Sequence, residues 1–169
     1  MDNVIYRAMV HEDIERILAK YPGYVGSGPR KHVESIFNEQ ERGLRTVVIA
    51  ECGDEIVGYI TLLPSAKNGP FKNQDIPAIR DLIVYEEFQE QGIGTELMNR
   101  MEALAAETSD MVCLGVGLHG ISGAAQRLFV KRGYVPDGSG VWYGRSPARA
   151  GVTIEEVGGL TLYMSKKLR

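Results

Sequence analysis

The chain of 169 residues has little cysteine, with only Cys52 and Cys113, far apart in sequence. This spacing excludes CxxC redox and zinc motifs, so no metal is expected, and both cysteines are predicted to be small core residues. The chain also lacks a run of about 18 apolar residues, and its first residues are acidic rather than a basic segment before an apolar core. These absences predict a cytoplasmic protein without membrane contact.

Neither acidic nor basic residues are in large excess. The 19 basic and 22 acidic residues give a net charge of -3, so no basic field would draw the chain onto nucleic acid, and a small molecule or protein is the expected partner. Hydrophobic residues make up 44% and charged residues 24%, which excludes a disordered chain. With no internal repeat or linker, residues 1–169 are predicted to form a single domain.

Glycine is more frequent, at 20 of 169 residues, against a typical usage of about 7%. Hydrophobic periodicity predicts a mixed α/β chain in the order β-α-α-β-β-β-α-β-α-β-β. The predicted strands are residues 4–8, a hairpin within 46–63, then 79–85, 111–118, 140–144 and 160–167. One predicted helix begins near His11, a second carries Val33, Ile36 and Phe37 on one face, and two more cover residues 95–107 and 123–132.

Residues 81–107, DLIVYEEFQEQGIGTELMNRMEALAAE, read as a strand, a turn and an amphipathic helix. Gly92 and Gly94 allow a ligand to approach the turn backbone without a Cβ in the way. Neutral hydrogen-bonding side chains accompany them, namely Gln89, Gln91 and Thr95. Because such a turn directs N–H groups and the positive end of a helix at one point, it would bind an anion such as a phosphate. An ordinary tight strand-to-helix turn is the alternative.

Two motifs resemble the signatures of the Gcn5-related N-acetyltransferases (GNAT). The first, Gln89-x-x-Gly92-x-Gly94, is similar to the family's Gln/Arg-x-x-Gly-x-Gly/Ala pattern, and the second is Ala125-x-x-Leu128-Phe129-x-x-x-Gly133-Tyr134. The resemblance implies an α/β (α+β) fold with a mostly antiparallel sheet of about seven strands, about four helices and splayed parallel central strands. It also implies acetyl-CoA as the cosubstrate.

By this resemblance, individual residues take roles in binding acetyl-CoA. The backbone of Leu82, Ile83 and Val84 would hold the pantetheine arm and the acetyl carbonyl. The pyrophosphate would lie on the N–H groups of Gln89, Glu90, Gln91, Gly92, Ile93, Gly94 and Thr95. Ser122 stands where the family often has a cofactor-contacting Asn, although it can simply N-cap the following helix. Phe129 would fill the cofactor wall.

The implied reaction moves an acetyl group from the thioester to a primary amine of a small molecule or peptide, by direct attack in a ternary complex. A base must take the ammonium proton. The candidates are Asp81, Glu86, Glu87 and His119. Strand alternation could direct Asp81 away from the substrate, and the two glutamates fit solvated surface charges.

The thiolate also needs a proton, which the family usually obtains from the Tyr of the second signature. Here that position is Phe129, and a phenyl ring cannot donate a proton. Tyr134, another tyrosine such as Tyr143, or water remains as the acid. The missing hydroxyl also leaves open a non-catalytic acetyl-CoA sensor on the same fold.

The acceptor is expected against the variable loop of residues 21–30 and the segment around Trp142 and Tyr143. Aromatic side chains there could enclose an apolar or cationic amine. Apolar residues in the two late strands also suit a homodimer.

One competing motif, Gly115-x-Gly117-x-x-Gly120, follows a predicted strand and precedes a helix, as in dinucleotide-binding folds. The hairpin at residues 46–63 and the short remaining chain argue against such a fold.

Overall fold

A computed structural model describes residues 3–21 and 28–169. Its strands are β1 (Val4–Ala8), β2 (Thr46–Cys52), β3 (Glu55–Leu63), β4 (Ala78–Val84), β5 (Met111–Gly117), β6 (Val135–Tyr143), β7 (Ser146–Pro147) and β8 (Leu160–Lys167). Its α-helices are α1 (Asp13–Ala19), α2 (Gly28–Glu41), α3 (Ile93–Ala106) and α4 (Gly123–Lys131). None of the helices so described is long and apolar enough to cross a membrane.

Within the described residues, the strands form one eight-stranded sheet in the order β1-β2-β3-β4-β5-β8-β6-β7. β4 and β5 pair in parallel at Ala78↔Cys113 and Ile79↔Leu114. The β1–β2, β2–β3, β5–β8, β6–β8 and β6–β7 pairs are antiparallel. The predicted mixed, mostly antiparallel sheet with four helices is therefore confirmed. The added strand is β7, whose two residues are too few for a periodic signal.

The chain divides into two compact units. The first contains the described residues up to Leu63 together with Asp81–Met101. Its core joins the apolar faces of α1 and α2 to β2 and β3, and includes Ile14, Ile17, Val33, Ile36, Val47, Ile49 and Tyr59. The helical residues among them recur at helical spacing, and the predicted apolar face of the second helix, with Val33 and Ile36, lies in this core.

A buried carboxylate joins β1 and α1 in the same unit. The Asp13 side chain is fully buried and accepts hydrogen bonds from Arg7 at 2.6 and 2.9 Å and from Arg16 at 2.8 Å. The Val10 N–H donates to it as well, at 2.9 Å. Burial raises the pKa of Asp13, but the two guanidinium groups and this N–H outweigh burial and lower it overall. Asp13 is therefore held as an anion.

The second unit comprises Pro64–Arg80 and Glu102–Arg169. Within this unit, Glu102 accepts hydrogen bonds from Arg132 at 2.9 Å, Lys166 at 2.7 Å and the Tyr134 hydroxyl at 3.1 Å. Burial raises the pKa of Glu102, but Arg132 and Lys166 reverse this and lower it. This network connects α3, β8 and the chain beyond α4.

Some local predictions need correction. Cys113 is buried as expected, whereas Cys52 is only partly buried at the end of β2. α3 begins at Ile93 rather than at residue 95, and β6 begins at Val135 rather than at residue 140. Strand β6 contains Gly138 and Gly140, both with positive φ. Such an irregular backbone interrupts the alternation of apolar and polar residues by which a strand is predicted.

Candidate active site

β4 is not regularly extended along its length. Asp81, in its middle, has a φ of +52°, in the left-handed region that costs a non-glycine residue about 1–3 kcal/mol. Aspartate tolerates this region better than most residues because its short side chain can hydrogen-bond locally. The regular side-chain alternation predicted for β4 is therefore interrupted at Asp81.

Beyond Asp81, the backbone of β4 is held closely on its β3 side. The Tyr85 N–H donates to the Val57 carbonyl at 3.1 Å. Gly58 permits this approach, since a Cβ there would lie only 2.6 Å from the Ile83 carbonyl oxygen. The end of β4 is therefore a fixed backbone surface.

The other edge of β4 carries the N–H groups of Leu82 and Val84, because backbone groups alternate between the two edges of a strand. The parallel ladder with β5 covers Ala78 and Ile79, so Leu82 and Val84 come after its last position. Their N–H groups can donate to a ligand carbonyl.

The turn between β4 and α3 is built on Gly92, whose φ is +83°. The Gly92 carbonyl accepts the first helical hydrogen bond of α3, from the Glu96 N–H at 3.0 Å. N–H groups that precede this bond, including those of Gly94 and Thr95, have no partner within the helix. Together with the positive end of the helix, they can bind an anion.

Side chains of this turn mainly hold the turn itself. Gln89 Nε2 donates to the Val84 carbonyl at 3.0 Å, and Gln91 Nε2 donates to the Glu87 carbonyl at 3.3 Å. Glu86 and Glu87 are exposed, in line with solvated surface charges. Ligand binding at this turn would therefore depend on backbone N–H groups.

Asp81 is the centre of a hydrogen-bonded cluster. His32 Nε2 lies 3.0 Å from its Oδ1. Arg45 Nη1 and the Thr61 hydroxyl each donate to its Oδ2 at 3.0 Å. The three partners therefore come from α2, from β3 and from the residue before β2. Their contacts fix the position of the carboxylate and help to keep the Asp81 backbone in its left-handed conformation.

The cluster changes the proton affinity of Asp81. Burial raises the pKa of Asp81, but the hydrogen bond and charge of His32, the charge of Arg45 and the Thr61 hydroxyl lower it below the ordinary value. Such a stabilised carboxylate is a weak base. The His32 side chain is 40% exposed, and an imidazole held through one nitrogen keeps the other for a further partner.

Sequence patterns singled out Asp81 but missed His32, Arg45 and Thr61. His32 is 49 positions from Asp81 and lies on a helix whose apolar face was the visible signal. No local motif connects the two residues.

His119 and Ser122 lie together in the second unit. Ser122 occupies the N-cap position of α4, but its side chain makes no capping hydrogen bond. It lies in a short 3₁₀ helix (Gly120–Ser122) and already has helical dihedrals, whereas a capping side chain needs extended backbone. Its Oγ lies 3.3 Å from His119 Nε2 instead. The predicted side-chain cap is therefore wrong.

The geometry of the turn agrees with the comparison of the sequence with family models. A model described as the acetyltransferase (GNAT) family matches residues 11–134. The chain belongs to the GNAT family. It is thus an acetyltransferase by family, and the match spans both the Gln89 motif and the second signature.

Solved structures share the GNAT fold over nearly the whole chain. An N-acetyltransferase from Staphylococcus aureus Mu50 has 17% identity and a TM-score of 0.72, covering 99% of this chain and 100% of its own. A ribosomal-protein-alanine N-acetyltransferase from Brucella melitensis has 18% identity and a TM-score of 0.68, covering 96% and 99%. An aminoglycoside 6'-N-acetyltransferase complexed with coenzyme A has 19% identity and a TM-score of 0.67, covering 98% and 97%. No curated protein sequence matches significantly.

The second GNAT signature ends in a packed pair of aromatic rings. Phe129 is 5% exposed and its ring centroid lies 5.8 Å from that of Tyr134. Tyr134 is 2% exposed, and its hydroxyl donates to Glu102 at 3.1 Å. Burial and the neighbouring Glu102 both raise the pKa of Tyr134. These contacts favour a structural role for Tyr134 over that of the acid.

A tyrosine hydroxyl without a hydrogen-bond partner lies directly after β4. Among the residues that the structure describes, Tyr85 Oη is buried and has no hydrogen-bond partner. Burial, followed by Tyr21 and Glu87, raises the pKa of Tyr85 to about 12. Lys20 Nζ lies 5.0 Å from the Tyr85 ring centroid. A buried hydroxyl of this kind needs a partner, and a bound ligand can supply one.

The predicted acceptor wall is described only in part. Residues 22–27, including Tyr24, lie outside the described residues. The Tyr21 hydroxyl is hydrogen-bonded with Tyr59. Trp142 Nε1 donates to Ser139 Oγ at 2.7 Å, and Tyr143 is 40% exposed. Within residues 3–21 and 28–169, no three His, Cys, Asp or Glu side chains form a group that could hold a metal.

Proposed function

We propose that this GNAT acetyltransferase moves the acetyl group of acetyl-CoA to a primary amine of a small molecule or peptide in a ternary complex. Bound acetyl-CoA would supply an activated thioester. The observation that carries the proposal is the turn at Gly92, with a φ of +83° and a first helical hydrogen bond from Glu96. Its unused N–H groups suit a pyrophosphate, and neutral donors explain how a chain of net charge -3 binds a polyanion.

Leu82 and Val84 support the same reaction. Their N–H groups, on the edge of β4 away from β3, would hold the pantetheine arm and polarise the acetyl carbonyl. A backbone donor fixed by the Tyr85–Val57 hydrogen bond of 3.1 Å needs no reorganisation when charge develops on the carbonyl oxygen. This strand end orients the carbonyl for attack.

His32 is the proton acceptor in this proposal, and Asp81 is its positioning residue. The amine must lose a proton as its nitrogen bonds the carbonyl carbon and the C–S bond breaks. Asp81 remains ionised because its pKa is lowered, so it can orient the imidazole and stabilise it when protonated. His119 is the alternative base among the residues predicted from sequence.

No tyrosine of the second signature serves as the acid in this proposal. Phe129 has no hydroxyl, and that of Tyr134 donates to Glu102 at 3.1 Å. The departing sulfur would therefore take its proton from water. The same observation favours the second candidate function, a non-catalytic acetyl-CoA sensor, because it removes one catalytic group.

The first test is thermal unfolding of the full chain with acetyl-CoA, free coenzyme A or NAD. Ligands that bind the folded state raise the melting temperature, so both coenzyme A species should stabilise the protein and NAD should not. Stabilisation by NAD alone would contradict the proposal.

The second test is thiol release from acetyl-CoA over a panel of primary amines. The panel includes a polyamine, an amino acid, an aminoglycoside and an alanine-containing peptide, because two structural neighbours are named for the last two acceptors. Thiol release that depends on one amine supports the transferase. Tight binding of acetyl-CoA with no release for any amine would support the sensor instead.

A further inference from the structure

The hydroxyl of Tyr85 is used neither by the fold nor by the chemistry proposed above. Among the residues that the structure describes, its oxygen is the one buried side-chain polar atom without a hydrogen-bond partner. Taking a hydroxyl out of water without giving it a partner is unfavourable, and nearly all buried polar groups in folded proteins are hydrogen-bonded. This hydroxyl therefore costs stability in the free chain, and binding a ligand is a role that would explain it.

The backbone and the ring of Tyr85 are held in place. Its N–H donates to the Val57 carbonyl at 3.1 Å, and Lys20 Nζ lies 5.0 Å from its ring centroid. Lys20 is fixed in turn by an ion pair with Glu55 at 2.6 Å and by the ring of Phe88, whose centroid is 5.1 Å away. The hydroxyl is thus presented in a fixed position before any ligand binds.

Two other tyrosines lie near this hydroxyl, but they are hydrogen-bonded with each other. Burial, followed by Tyr21, raises the pKa of Tyr59, and a hydrogen bond joins these two side chains. Asp81 and Tyr85 raise the pKa of Tyr59 as well, so both lie near it. Asp81 also contacts His32 at 3.0 Å. The hydroxyl of Tyr85 therefore belongs to the group of side chains that surrounds the proposed base, within the first compact unit.

The charges around Tyr85 determine which ligand group suits it. Burial, followed by Tyr21 and Glu87, raises the pKa of Tyr85 to about 12, so the hydroxyl stays protonated at neutral pH and can donate. Lys20 lies 3.7 Å from Glu87 as well as 2.6 Å from Glu55, which leaves two carboxylates around one ammonium. This local excess of negative charge disfavours an anionic ligand group. A neutral oxygen is the complementary partner.

We propose that the Tyr85 hydroxyl donates a hydrogen bond to a neutral oxygen of the amine acceptor, and so selects primary amines that also carry a hydroxyl or carbonyl group. This inference rests on the proposed transfer to a primary amine. Tyr85 as a whole is only partly buried, so contact requires a shift of the side chains that cover its oxygen. Because the hydroxyl is already out of water, an acceptor without the oxygen leaves it unpaired and is disfavoured.

The test compares pairs of acceptors that differ in one hydroxyl. Amino alcohols from 3-amino-1-propanol to 6-amino-1-hexanol are each paired with the alkylamine in which a methyl group replaces the hydroxyl. Thiol release from acetyl-CoA gives kcat/KM for each member. The parent should favour the amino alcohol by about tenfold in at least one pair, the value of one hydrogen bond. Tyr85→Phe should use both members of that pair alike.

A second pair of acceptors tests a carbonyl oxygen and an anion. 6-Aminohexanamide carries a neutral carbonyl, and 6-aminohexanoate has a carboxylate in its place. Dependence on Tyr85 for the amino alcohols identifies a hydroxyl as the bound group, and dependence for the amide identifies a carbonyl. Greater use of the carboxylate than of the amide, or no dependence on Tyr85 for any of these acceptors, would overturn the proposal.

Thermal unfolding separates a role in binding from a role in the fold. Tyr85→Phe removes a hydroxyl without a partner, so it should melt at or above the temperature of the parent. Tyr134→Phe is the matched control, because the hydroxyl that it removes donates to Glu102 at 3.1 Å. This control should melt at a lower temperature and keep the acceptor preference of the parent. An equal loss of melting temperature in the two variants would show that the Tyr85 hydroxyl supports the fold, against the proposal.

Failure of this inference is distinguishable from failure of the proposed function. Thiol release by the parent, with the same acceptor preference in Tyr85→Phe, would contradict the role of Tyr85 alone. If the parent released no thiol with any amine, the proposed transfer would fail. Calorimetric titration of the same acceptors into the chain with coenzyme A then tests Tyr85 by itself. Tighter binding of an oxygen-bearing acceptor that is lost in Tyr85→Phe would support its role, and equal affinities within every pair would refute it.

Discussion

His32 is the side chain on which the proposed proton transfer depends. In His32→Gln the amide can still contact Asp81, which lies 3.0 Å from the imidazole in the parent, but it cannot take a proton. We expect kcat to fall by about 10²-fold, the lower end for loss of a general base. Coenzyme A affinity should be unchanged. Steady-state thiol release and calorimetric titration with coenzyme A measure the two quantities.

The other histidines of the chain provide controls. His11→Gln removes an imidazole that packs edge-on against Phe37, with ring centroids 5.6 Å apart, and should leave kcat near the parent value. His119→Gln tests the alternative base. If His119→Gln lost turnover and His32→Gln did not, the assignment would pass to His119. Partial recovery of His32→Ala with added imidazole would separate proton transfer from a structural effect.

Tyr134 should contribute to stability rather than to turnover. Tyr134→Phe removes a buried hydroxyl that donates to Glu102 at 3.1 Å while leaving the ring in place. A hydrogen bond to a charged group is worth about 1.5–3 kcal/mol, so urea unfolding should show a loss of about 2 kcal/mol. Turnover should stay at the parent level across pH. A large drop in kcat without loss of stability would restore Tyr134 as the acid.

The sequence predicted Asp81 as a candidate site residue, but it did not predict the partners of Asp81. Asp81 directly precedes residues 82–84, which the resemblance to GNAT proteins assigns to the cofactor, so its position drew attention to it. Its φ of +52° and its contacts with His32, Arg45 and Thr61 follow from tertiary packing, which a period of two along one strand does not encode. The low pKa of Asp81 was unpredictable for the same reason.

At the scale of elements, the conformation of the turn before α3 favours glycine at position 92. Gly92 has a φ of +83°, and beyond its chain neighbours no heavy atom lies within 4 Å of the place that a Cβ would take. Gly92→Ala therefore introduces backbone strain of about 1–2 kcal/mol without a clash. The turn should relax away from the arrangement that directs its N–H groups at one point. We expect coenzyme A affinity to fall at least about fivefold, as measured by calorimetric titration.

Gly138→Ala is the matched control for this substitution. Gly138 also has a positive φ, of +92°, and open space around it, but it lies in β6 (Val135–Tyr143). Both variants should lose similar stability, while only Gly92→Ala should bind coenzyme A more weakly. Equal affinity in the two variants would show that the turn does not hold the cofactor.

The limits of helices and strands with a clear hydrophobic pattern were predicted closely. The limits of elements that begin or end at an irregular backbone conformation were not. The hairpin of β2 and β3 and the last strand, β8, have the predicted limits. In the hairpin, the residues between the two apolar runs, Gly53 and Asp54, mark the turn clearly. α3 starts earlier than predicted because Gly92, not a side-chain cap, precedes its first residue, Ile93. α4 ends at Lys131, one residue before its predicted limit, and the left-handed Gly133, with a φ of +88°, follows two residues later.

At the scale of the whole molecule, three buried or partly buried carboxylates connect its stability to pH. Asp13, Asp81 and Glu102 all have pKa values below their ordinary values despite burial. A carboxyl group with a lowered pKa in the folded state stabilises the fold at pH values above its unfolded pKa. The stabilisation is lost as pH falls through the folded pKa. The reason is that the unfolded state binds protons at a higher pH than the folded state does, so acidification favours the unfolded state.

The free energy of unfolding should therefore be retained from about pH 7 to about pH 5 and fall below about pH 4, near the ordinary carboxyl pKa. Urea unfolding over this range measures it. In Asp13→Asn the free energy of unfolding should fall less on acidification, because this carboxylate no longer titrates. The variant should nevertheless be less stable than the parent at every pH, since Arg7 and Arg16 lose a buried partner. Asp54→Asn, at the exposed hairpin turn, should keep the parent's pH dependence. Stability that increased between pH 5 and pH 3 would mean that these carboxylates are not held as anions, since protonation would then favour the fold.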